Sequence, residues 1–196
     1  DAGANPNTGW YEKPFQPGEA EVWESALYGA AGVAHHPGVT RLLLERGADP
    51  NDGETPYHAP EGYDNTVLQL LLESAKLDER GKSWILARKA DWHVSAGMKL
   101  ALEHGANPNF VPQWGRSALQ HSILRDNSID MIRLLVEAGG DALLPSKCDG
   151  RNAAQMAARR GRGDVLRLFA ERGIDVGLEG VDALIAACAL ADSGQT

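Results

Sequence analysis

The chain has 196 residues, 43% of them hydrophobic and 23% charged, and this ordinary globular composition excludes wholesale disorder. Its net charge of −8 argues against a general nucleic-acid partner, because phosphate recognition needs a basic surface. No apolar run approaches the ~18 residues that span a bilayer, so we expect no membrane partner. Cys148 and Cys188 cannot by themselves build a disulfide framework or a four-ligand zinc site. We therefore expect two free thiols in the cytoplasm.

A short phrase recurs along the chain and predicts where helices end. It reads Gly3-Ala-Asn-Pro-Asn7, Gly47-Ala-Asp-Pro-Asn51 and Gly105-Ala-Asn-Pro-Asn109, with weaker copies at Gly139-Gly-Asp141 and Gly173-Ile-Asp175. Each of the last four copies follows an apolar helical run such as Arg41-Leu-Leu-Leu-Glu-Arg46. Glycine takes the left-handed position after a helix without a steric clash, and the proline prevents the helix from resuming.

The spacing of this phrase indicates repeated units. The last two intervals, Gly105 to Gly139 and Gly139 to Gly173, are equal, whereas the interval from Gly47 to Gly105 is too long for one unit. A hidden copy follows the apolar run that begins at Val67, with Ala75 in the glycine position, and it divides the long interval almost in half. The period is therefore about 33 residues, with insertions and deletions.

A second phrase opens each unit. It reads Gly53-Glu-Thr-Pro-Tyr-His58, Gly115-Arg-Ser-Ala-Leu-Gln120, Gly150-Arg-Asn-Ala-Ala-Gln155 and Gly180-Val-Asp-Ala-Leu-Ile185, and residues 24–28 fit it without the glycine. The Thr, Ser, Asn or Asp of this phrase can cap a helix whose first residue is Pro or Ala. An alanine-rich first helix, a short loop and a leucine-rich second helix should follow.

In this order and at this period, the two phrases resemble the ankyrin repeat, whose pattern is Gly-x-Thr-Pro-Leu-His, Ala-Ala, a leucine-rich helix and Gly-Ala-Asp-x-Asn. The resemblance covers nearly the whole chain. It implies an all-α solenoid of stacked helix-turn-helix units with hairpin-like loops, about five repeats long and truncated at both ends. The pattern, with its compressed middle units, is similar to bacterial members of the family.

We expect residues 1–196 to form a single domain of successive repeats. Its predicted divisions are 1–7 (the tail of a preceding repeat), 8–51, 52–78 (compressed), 79–109, 110–144, 145–177 and 178–196 (a partial repeat). About eleven extra residues fall in the hairpin region of the 8–51 unit, where two prolines and two glycines argue against a helix.

The stack should be least regular between Thr55 and Trp92. Pro60 follows the cap by five residues, so the first helix there should last barely one turn and Ala59 should leave helical geometry. In the next unit we predict a first helix at residues 83–90, with Asp91 as an N-cap and His93 in the following loop. The last helix should cover residues 182–191.

The sequence contains no Gly-x4-Gly-Lys-Ser/Thr, Gly-x-Ser-x-Gly or His-Glu-x-x-His motif. The resemblance implies a non-catalytic protein–protein interaction module, without cofactor or metal, whose first helices and hairpin tips line a concave surface for another protein. One alternative is an intramolecular regulatory or spacer segment of a larger protein. Another is a metal-dependent enzyme in residues 57–93, which would require His58, Asp64, Asp91 and His93 to converge.

Eleven of the twelve aromatic residues precede residue 115. Aromatic side chains exposed on loops are typical anchors of interfaces. We therefore predict a partner-binding surface made of Trp10, Tyr11, Phe15, Phe110, Trp114 and Arg116. The alternative is that the hairpin aromatics pack over the helices beneath them, and we expect Trp23, Trp84 and Trp92 in the core.

Two further questions stay open at this point. The six arginines of the 145–177 unit either form a solvated face or hold an acidic or phosphate-rich partner, although helical spacing spreads them around the unit. The oligomeric state is undetermined, and uncovered end faces would allow end-to-end stacking.

Overall fold

A computed structural model describes residues 3–13 and 21–192, and it arranges their helices in two layers. Each unit contributes a first helix to one layer and a second helix to the other. The first helices contact one another in chain order, and so do the second helices. Each pair thereby buries its apolar side chains against its neighbours, which is the architecture of a repeat solenoid.

The first layer contains α1 (Ala26–Tyr28) with a π-helical turn (Gly29–Val33), α3 (Glu54–His58), α5 (Glu79–Lys89), α7 (Ala118–Leu124), α9 (Ala153–Arg159) and α11 (Gly180–Asp192). The second layer contains α2 (Pro37–Glu45), α4 (Thr66–Glu73), α6 (Ser95–Glu103), α8 (Ile129–Glu137) and α10 (Gly163–Glu171). A 3-10 turn (Ala90–Trp92) follows α5. Within the described part of the chain, five helix pairs and a final single helix confirm the predicted all-α solenoid of about five repeats.

A β-hairpin precedes the first helix pair. Its antiparallel strands are β1 (Gly9–Glu12) and β2 (Val22–Ser25), in a register that places Trp10 opposite Glu24 and Tyr11 opposite Trp23. Strand β1 lies within the insertion in which the prolines and glycines argued against a helix, and β2 follows that insertion.

Positive φ angles recur after the second helix of each pair. The residues are Gly47, Ala75, Gly105, Gly139 and Gly173, with φ of 96°, 56°, 87°, 89° and 68°. Ala75 therefore has the same left-handed conformation as the glycines at the equivalent positions. This confirms the hidden copy of the phrase. A second set lies in the loop between the helices of each pair, and its members are His35, Gly62, His93, Asp126 and Gly161.

The predicted caps are only partly correct. Ser117 and Asn152 each cap a first helix reciprocally with a glutamine three residues later, and the Ser25 hydroxyl accepts the Tyr28 N–H. Thr55 instead lies inside α3, and the Asp52 carboxylate accepts its backbone N–H at 2.7 Å. In the same way α11 begins at Gly180, two residues before Asp182.

The compressed unit has the short first helix that Pro60 predicted, because α3 ends after five residues. The prediction that Ala59 leaves helical geometry is wrong, since its φ and ψ are −54° and −29°. Its N–H donates to the Thr55 carbonyl at 2.9 Å and its side chain is buried, and these contacts offset the steric preference of a residue before proline. In the next unit α5 begins at Glu79, four residues earlier than predicted, because Asp78 caps it directly.

Asparagine side chains bridge successive units at the loops. Asn109 Nδ2 donates to the Gly139 carbonyl at 2.9 Å, and its Oδ1 accepts the Asp141 N–H at 2.7 Å. The same pair of bonds recurs in Asn7 with Gly47 and Asp49, and in Asn51 with Lys76 and Asp78. Each amide satisfies one backbone donor and one acceptor of the following unit, and so sets the distance between the two loops.

Replacing Ala75 by glycine should stabilise the fold. A left-handed residue other than glycine costs about 1–2 kcal/mol, and glycine removes part of that strain while losing more backbone entropy on folding. We expect Ala75→Gly to raise the free energy of unfolding by up to about 1 kcal/mol in chemical denaturation. Gly105→Ala is the matched control, because it creates the strain at the equivalent position and should lower stability. A loss of stability in Ala75→Gly would contradict this account.

Leu143→Asn should create a missing bridge. Leu143 occupies the position in its unit that Asn109 occupies in the preceding one. Asn109 bonds to Gly139 and Asp141, and residues at the same two sequence separations from Leu143 are Gly173 and Asp175. Because Leu143 is exposed, little apolar burial is lost. We expect the variant to gain about 0.5–1.5 kcal/mol in the free energy of unfolding, measured by denaturant titration. Leu143→Ser, whose hydroxyl is too short to span the loops, should show no gain.

Candidate partner-binding surface

The hairpin presents two exposed aromatic rings on an ordered strand. Trp10 is 51% exposed and Tyr11 is 63% exposed. Pairing with β2 holds both residues, and the Tyr11 and Trp23 rings lie across the strands with centroids 5.0 Å apart. These side chains can therefore contact a partner without first becoming ordered, which lowers the entropic cost of binding.

Aromatic side chains from three successive units form a cluster. Trp84 of α5 is buried, and its ring centroid lies 4.9 Å from Trp114, 5.3 Å from Tyr57 and 5.8 Å from Phe110. The rings of Trp114 and Phe110 meet Trp84 edge-on, which is a favourable arrangement for aromatic rings, and the Tyr57 ring is tilted against it. The cluster therefore joins α3, α5 and the loop before α7.

Arg88 extends this cluster into a network of charges. Its guanidinium lies 4.5 Å from the centroid of the Tyr57 ring, and its Nη2 donates to Glu61 Oε1 at 2.8 Å. The same guanidinium pairs with Asp91 through Nη1. One side chain thus fixes the loop after α3 and the turn after α5 relative to each other.

Asp91 is the centre of this network. Its Oδ1 accepts a hydrogen bond from Arg125 Nε at 2.7 Å and lies 2.8 Å from His121 Nε2. His121 belongs to α7, and Arg125 directly follows that helix. Burial acts to raise the pKa of Asp91, but the bonds from His121 and Arg125 and the charges of His121 and Arg88 outweigh it and lower the pKa to about 2. Asp91 therefore stays ionised and links the 79–109 unit to the next.

Together these residues form what we call the central belt, defined as Tyr57, Trp84, Arg88, Asp91, Trp114 and His121. Trp114 was predicted as a site residue from the sequence, whereas Tyr57, Arg88, His121 and Arg125 were not predicted as its partners or as those of Asp91. His121 and Arg125 both follow Asp91 by roughly one repeat length, so a comparison of equivalent positions could have found the pairs. The prediction that Asp91 is an N-cap is wrong. Val94 occupies the N-cap position of α6, and the carboxylate oxygens of Asp91 pair with Arg88 and His121 instead.

Acidic side chains connect the central belt to the hairpin. His58 Nδ1 lies 2.9 Å from Glu61, and its Nε2 lies 3.3 Å from Glu54. The bond to Glu54 raises the pKa of His58, burial opposes this, and Glu61 raises it further. Burial raises the pKa of the Tyr28 hydroxyl, and the charges that raise it further come from Glu24, Glu54, Glu61 and Glu12. These four carboxylates therefore act on one region of the surface, which we call the acidic edge.

Lys89 holds the loop that carries Glu61. Its side chain is completely buried, and Nζ donates to the carbonyls of Pro60 and Gly62 at 3.2 and 3.0 Å. Burial lowers the pKa of Lys89 to about 8, with Asp64 acting in the opposite direction. A Cβ on Gly97 would lie 2.1 Å from Lys89 Cε, so the neighbouring helix leaves space for this side chain.

The structure separates the predicted site residues into two groups. Trp10 and Tyr11 lie together on β1, whereas Phe110 and Trp114 lie together over Trp84 and are half-buried. Arg116 is also half-buried, and its Nε has no hydrogen-bond partner among the described residues. Phe15 lies outside the described residues. Trp84 is in the core as expected, while Trp23 and Trp92 are only half-buried.

The residues of the metal-enzyme alternative take different partners. His58 pairs with Glu54 and Glu61, Asp91 with the central belt, and Asp64 accepts from Thr66. Among the described residues, no group of three or more His, Cys, Asp or Glu side chains is placed to hold a metal ion. The structure therefore does not bring these residues together.

Most arginines of the 145–177 unit are paired with carboxylates. The pairs are Arg151 with Asp149, Arg159 with Asp182, Arg160 with Asp126, Arg162 with Asp164 and Arg172 with Glu137. Their charges are neutralised locally, which favours the solvated-face interpretation over a phosphate-binding one. Cys148 and Cys188 are both free and exposed.

The buried Lys89 should make stability depend on pH. Between its folded pKa of about 8 and its ordinary value of 10.5, the unfolded chain binds a proton that the folded chain does not, so folding becomes more favourable as pH rises. The unfolding free energy of the natural chain, minus that of Lys89→Met, should therefore increase by about 2–3 kcal/mol across this window. Parallel pH profiles of the two proteins in urea denaturation would contradict the assignment.

Comparisons with known proteins agree with this architecture. The sequence pattern described as ankyrin repeats (3 copies) matches residues 86–180. The ankyrin repeat domain-containing protein SAT10 of Stachybotrys chartarum is 31% identical over 162 residues, which are 78% of this chain and 8% of that protein. The chain thus spans a small part of the length of this relative.

Two solved structures are similar in fold. The ankyrin repeat domain of Bcl-3, a unique member of the IkappaB protein family, has a TM-score of 0.67 and 27% identity over 80% of this chain and 73% of that chain. The ankyrin repeat protein EF0377 has a TM-score of 0.66 and 25% identity over 76% of this chain and 80% of that chain. Within the described residues, no helix has the length and apolar character needed to cross a lipid bilayer. These matches and the stacked helix pairs together show that the chain belongs to the ankyrin-repeat family.

Proposed function

We propose that the chain is a non-catalytic protein-interaction module that receives its partner on the hairpin and along the first-helix layer. Ankyrin repeats in general bind other proteins. The observation that carries the proposal is the exposure of Trp10 and Tyr11, whose rings project from the two faces of a paired strand beside the acidic edge. Large aromatic side chains supply much of the binding energy in interfaces, and here they are ordered before binding.

The partner contributes a positively charged segment. Glu54 and Glu61 are already paired with His58, and Glu61 also with Arg88, so the repulsion that a partner can relieve is that between Glu12 and Glu24. After the effect of its burial, Glu12 and Glu54 raise the pKa of Glu24 and His58 opposes them. A lysine or arginine placed beside Glu12 and Glu24 would relieve that repulsion. Trp10 lies opposite Glu24 in the hairpin, so aromatic and ionic contacts to one partner segment are compatible.

Phe110, Trp114 and Arg116 form the second part of the proposed surface. Because these side chains are half-buried, we propose that they both fix the shape of this part of the surface and contact the partner directly. The network around Asp91 keeps α3, α5 and α7 in a fixed relation, so the partner would meet a rigid surface. We place the interaction in the cytoplasm, where the exposed thiols of Cys148 and Cys188 would stay reduced.

The test is a partner selection followed by mutational binding measurements. A peptide-display library made from the proteome of the source cell identifies binders of the natural chain, and calorimetry then measures their affinity. We expect Trp10→Ala and Tyr11→Ala each to weaken binding by about 1–3 kcal/mol, and added salt to weaken it further. Leu42→Ala is the matched control, because Leu42 is nearly as exposed as Trp10 but lies on a second helix.

Selected ligands that keep their affinity for the Trp10→Ala, Tyr11→Ala double variant would refute the hairpin as the binding site. Ligands without basic residues, or with affinities that do not change with salt, would refute the role of the acidic edge. For Trp114→Ala the binding measurement is paired with a denaturation curve, because removal of this ring also opens the aromatic cluster.

A further inference from the structure

His58 is held between two carboxylates of the acidic edge. Its Nδ1 lies 2.9 Å from Glu61 Oε1 and its Nε2 lies 3.3 Å from Glu54 Oε2, so the two ring nitrogens face different side chains. The imidazole meets the Tyr57 ring edge-on, with centroids 4.7 Å apart, and is tilted against the Tyr28 ring, with centroids 5.3 Å apart. These contacts hold the imidazole in place, so a change in its protonation changes the charge at this point rather than the position of the ring.

The elements that pack against α3 define the surroundings of this ring. Helix α3 contacts α5, the π-helical turn, α1 and β2. The titratable or charged groups that act on His58 from these elements are Tyr28 of α1, Glu24 of β2 and Arg88 of α5, whose guanidinium is linked to it through Glu61. The π-helical turn carries no titratable side chain, and a Cβ on its Gly32 would lie 2.9 Å from His58 Cβ. His58 therefore fits its position only beside a glycine.

The two carboxylates differ in what else they contact. Glu61 Oε1 also accepts from Arg88 Nη2 at 2.8 Å, and a guanidinium stays charged throughout the pH range of folded proteins. Within residues 3–13 and 21–192, His58 is the only cationic side chain paired with Glu54. Glu61 thus keeps a permanent partner, whereas the neutralisation of Glu54 depends on the proton of His58.

Loss of that proton changes the charge of the proposed site. A neutral imidazole has a single N–H, so it can donate to only one of the two carboxylates, and it cancels the charge of neither. The charge of Glu54 acts on Glu24: burial and Glu12 raise the pKa of Glu24, Glu54 raises it further, and His58 opposes them. Because Glu24 lies opposite Trp10 in the hairpin, the charge of His58 acts where the partner is proposed to bind.

We propose that His58 is a proton-operated control of this site, in which loss of the proton makes Glu54 available to the basic segment of the partner and strengthens binding. This inference rests on the proposed function, since it concerns the regulation of the same surface. By linkage, a cation bound beside Glu24 and Glu54 must in turn favour release of the proton. The affinity therefore increases as the pH rises through the pKa of His58 and is lost as the pH falls through it. In the free chain that pKa lies above its ordinary value of 6.5, because the bond to Glu54 outweighs burial and Glu61 adds to its effect.

The first test uses the free chain and needs no partner. NMR titration of the His58 ring protons gives the pKa of this residue in the natural chain and in Glu54→Gln, and the signal that is missing in His58→Gln identifies the resonance. We expect Glu54→Gln to lower this pKa, because the substitution removes a carboxylate that favours the charged imidazole. An unchanged pKa would overturn the inference, which requires that the two side chains interact.

The second test measures the affinity of a defined cationic probe, acetyl-hexalysine amide, by NMR shift titration at one pH unit below and one pH unit above the pKa of His58. The natural chain should bind the probe roughly two- to fivefold more tightly at the higher pH, which is the size of effect expected from one exposed ion pair. His58→Gln should bind with that higher affinity at both pH values. Glu54→Gln should bind at both with about the lower affinity of the natural chain, because the carboxylate on which the control acts is missing.

His104→Gln is the matched control, because this histidine lies at the end of α6 and bonds to the Leu100 carbonyl instead of a carboxylate. It should keep the pH dependence of the natural chain. Thermal unfolding followed by circular dichroism shows that each variant is folded.

Three binding results would contradict the inference. One is an equal affinity of the natural chain at the two pH values, and another is a pH dependence that persists in His58→Gln. The third is an absence of hexalysine binding at either pH, which would also refute the acidic edge as a cation site. The hairpin is tested separately by the selected ligands and the Trp10→Ala, Tyr11→Ala double variant, so its failure would leave the pH dependence of hexalysine binding intact.

Discussion

The burial of each helix pair against the next is the interaction on which the rest of the structure depends. A short first helix such as α3 or α9 has one or two turns, too few to be stable in water alone. Its apolar residues become buried only because helices of the neighbouring units lie on both sides. One continuous cluster of buried side chains accordingly runs from Leu68 to Ala189, across successive units. Stability is therefore a property of neighbouring pairs rather than of any single unit.

The loops convert this stacking into a regular spacing. The left-handed residue after each second helix turns the chain, and the asparagine of the phrase then reaches the following loop. Where the phrase is altered, the structure substitutes another contact. The 79–109 unit has Arg80 in the place of this asparagine, and the Ser83 hydroxyl accepts the Asn107 N–H at 2.9 Å instead. The solenoid thus tolerates the loss of one asparagine bridge because the helices still stack.

The least regular part of the stack is also the part with the most elaborate side-chain network. The first helix of the compressed unit, α3, has only five residues, and in residues 54–92 large or charged side chains occupy the space that small residues fill elsewhere. Trp84 is a large, buried residue in a first helix, whereas the first helices α9 and α11 are rich in alanine. Lys89 is also buried, and its Nζ donates to two backbone carbonyls. Such a network orders the surface of three units at once. A partner that binds there meets a surface already in its final shape, and the acidic edge extends it to the hairpin aromatics.

The sequence by itself determined the features that depend on local chain geometry. Glycine, proline and capping residues act within a few positions, so the phrases predicted the helix ends, the hidden unit at Ala75, the short α3 and the family. It also predicted which residue types could anchor a partner. Only the tertiary structure decided which of those residues are exposed. Trp10 and Trp114 are alike as loop tryptophans, but strand pairing leaves the first in solvent and Trp84 draws the second into a cluster. The partners of Asp91 were equally beyond local reasoning, because His121 and Arg125 reach it only when two units lie side by side.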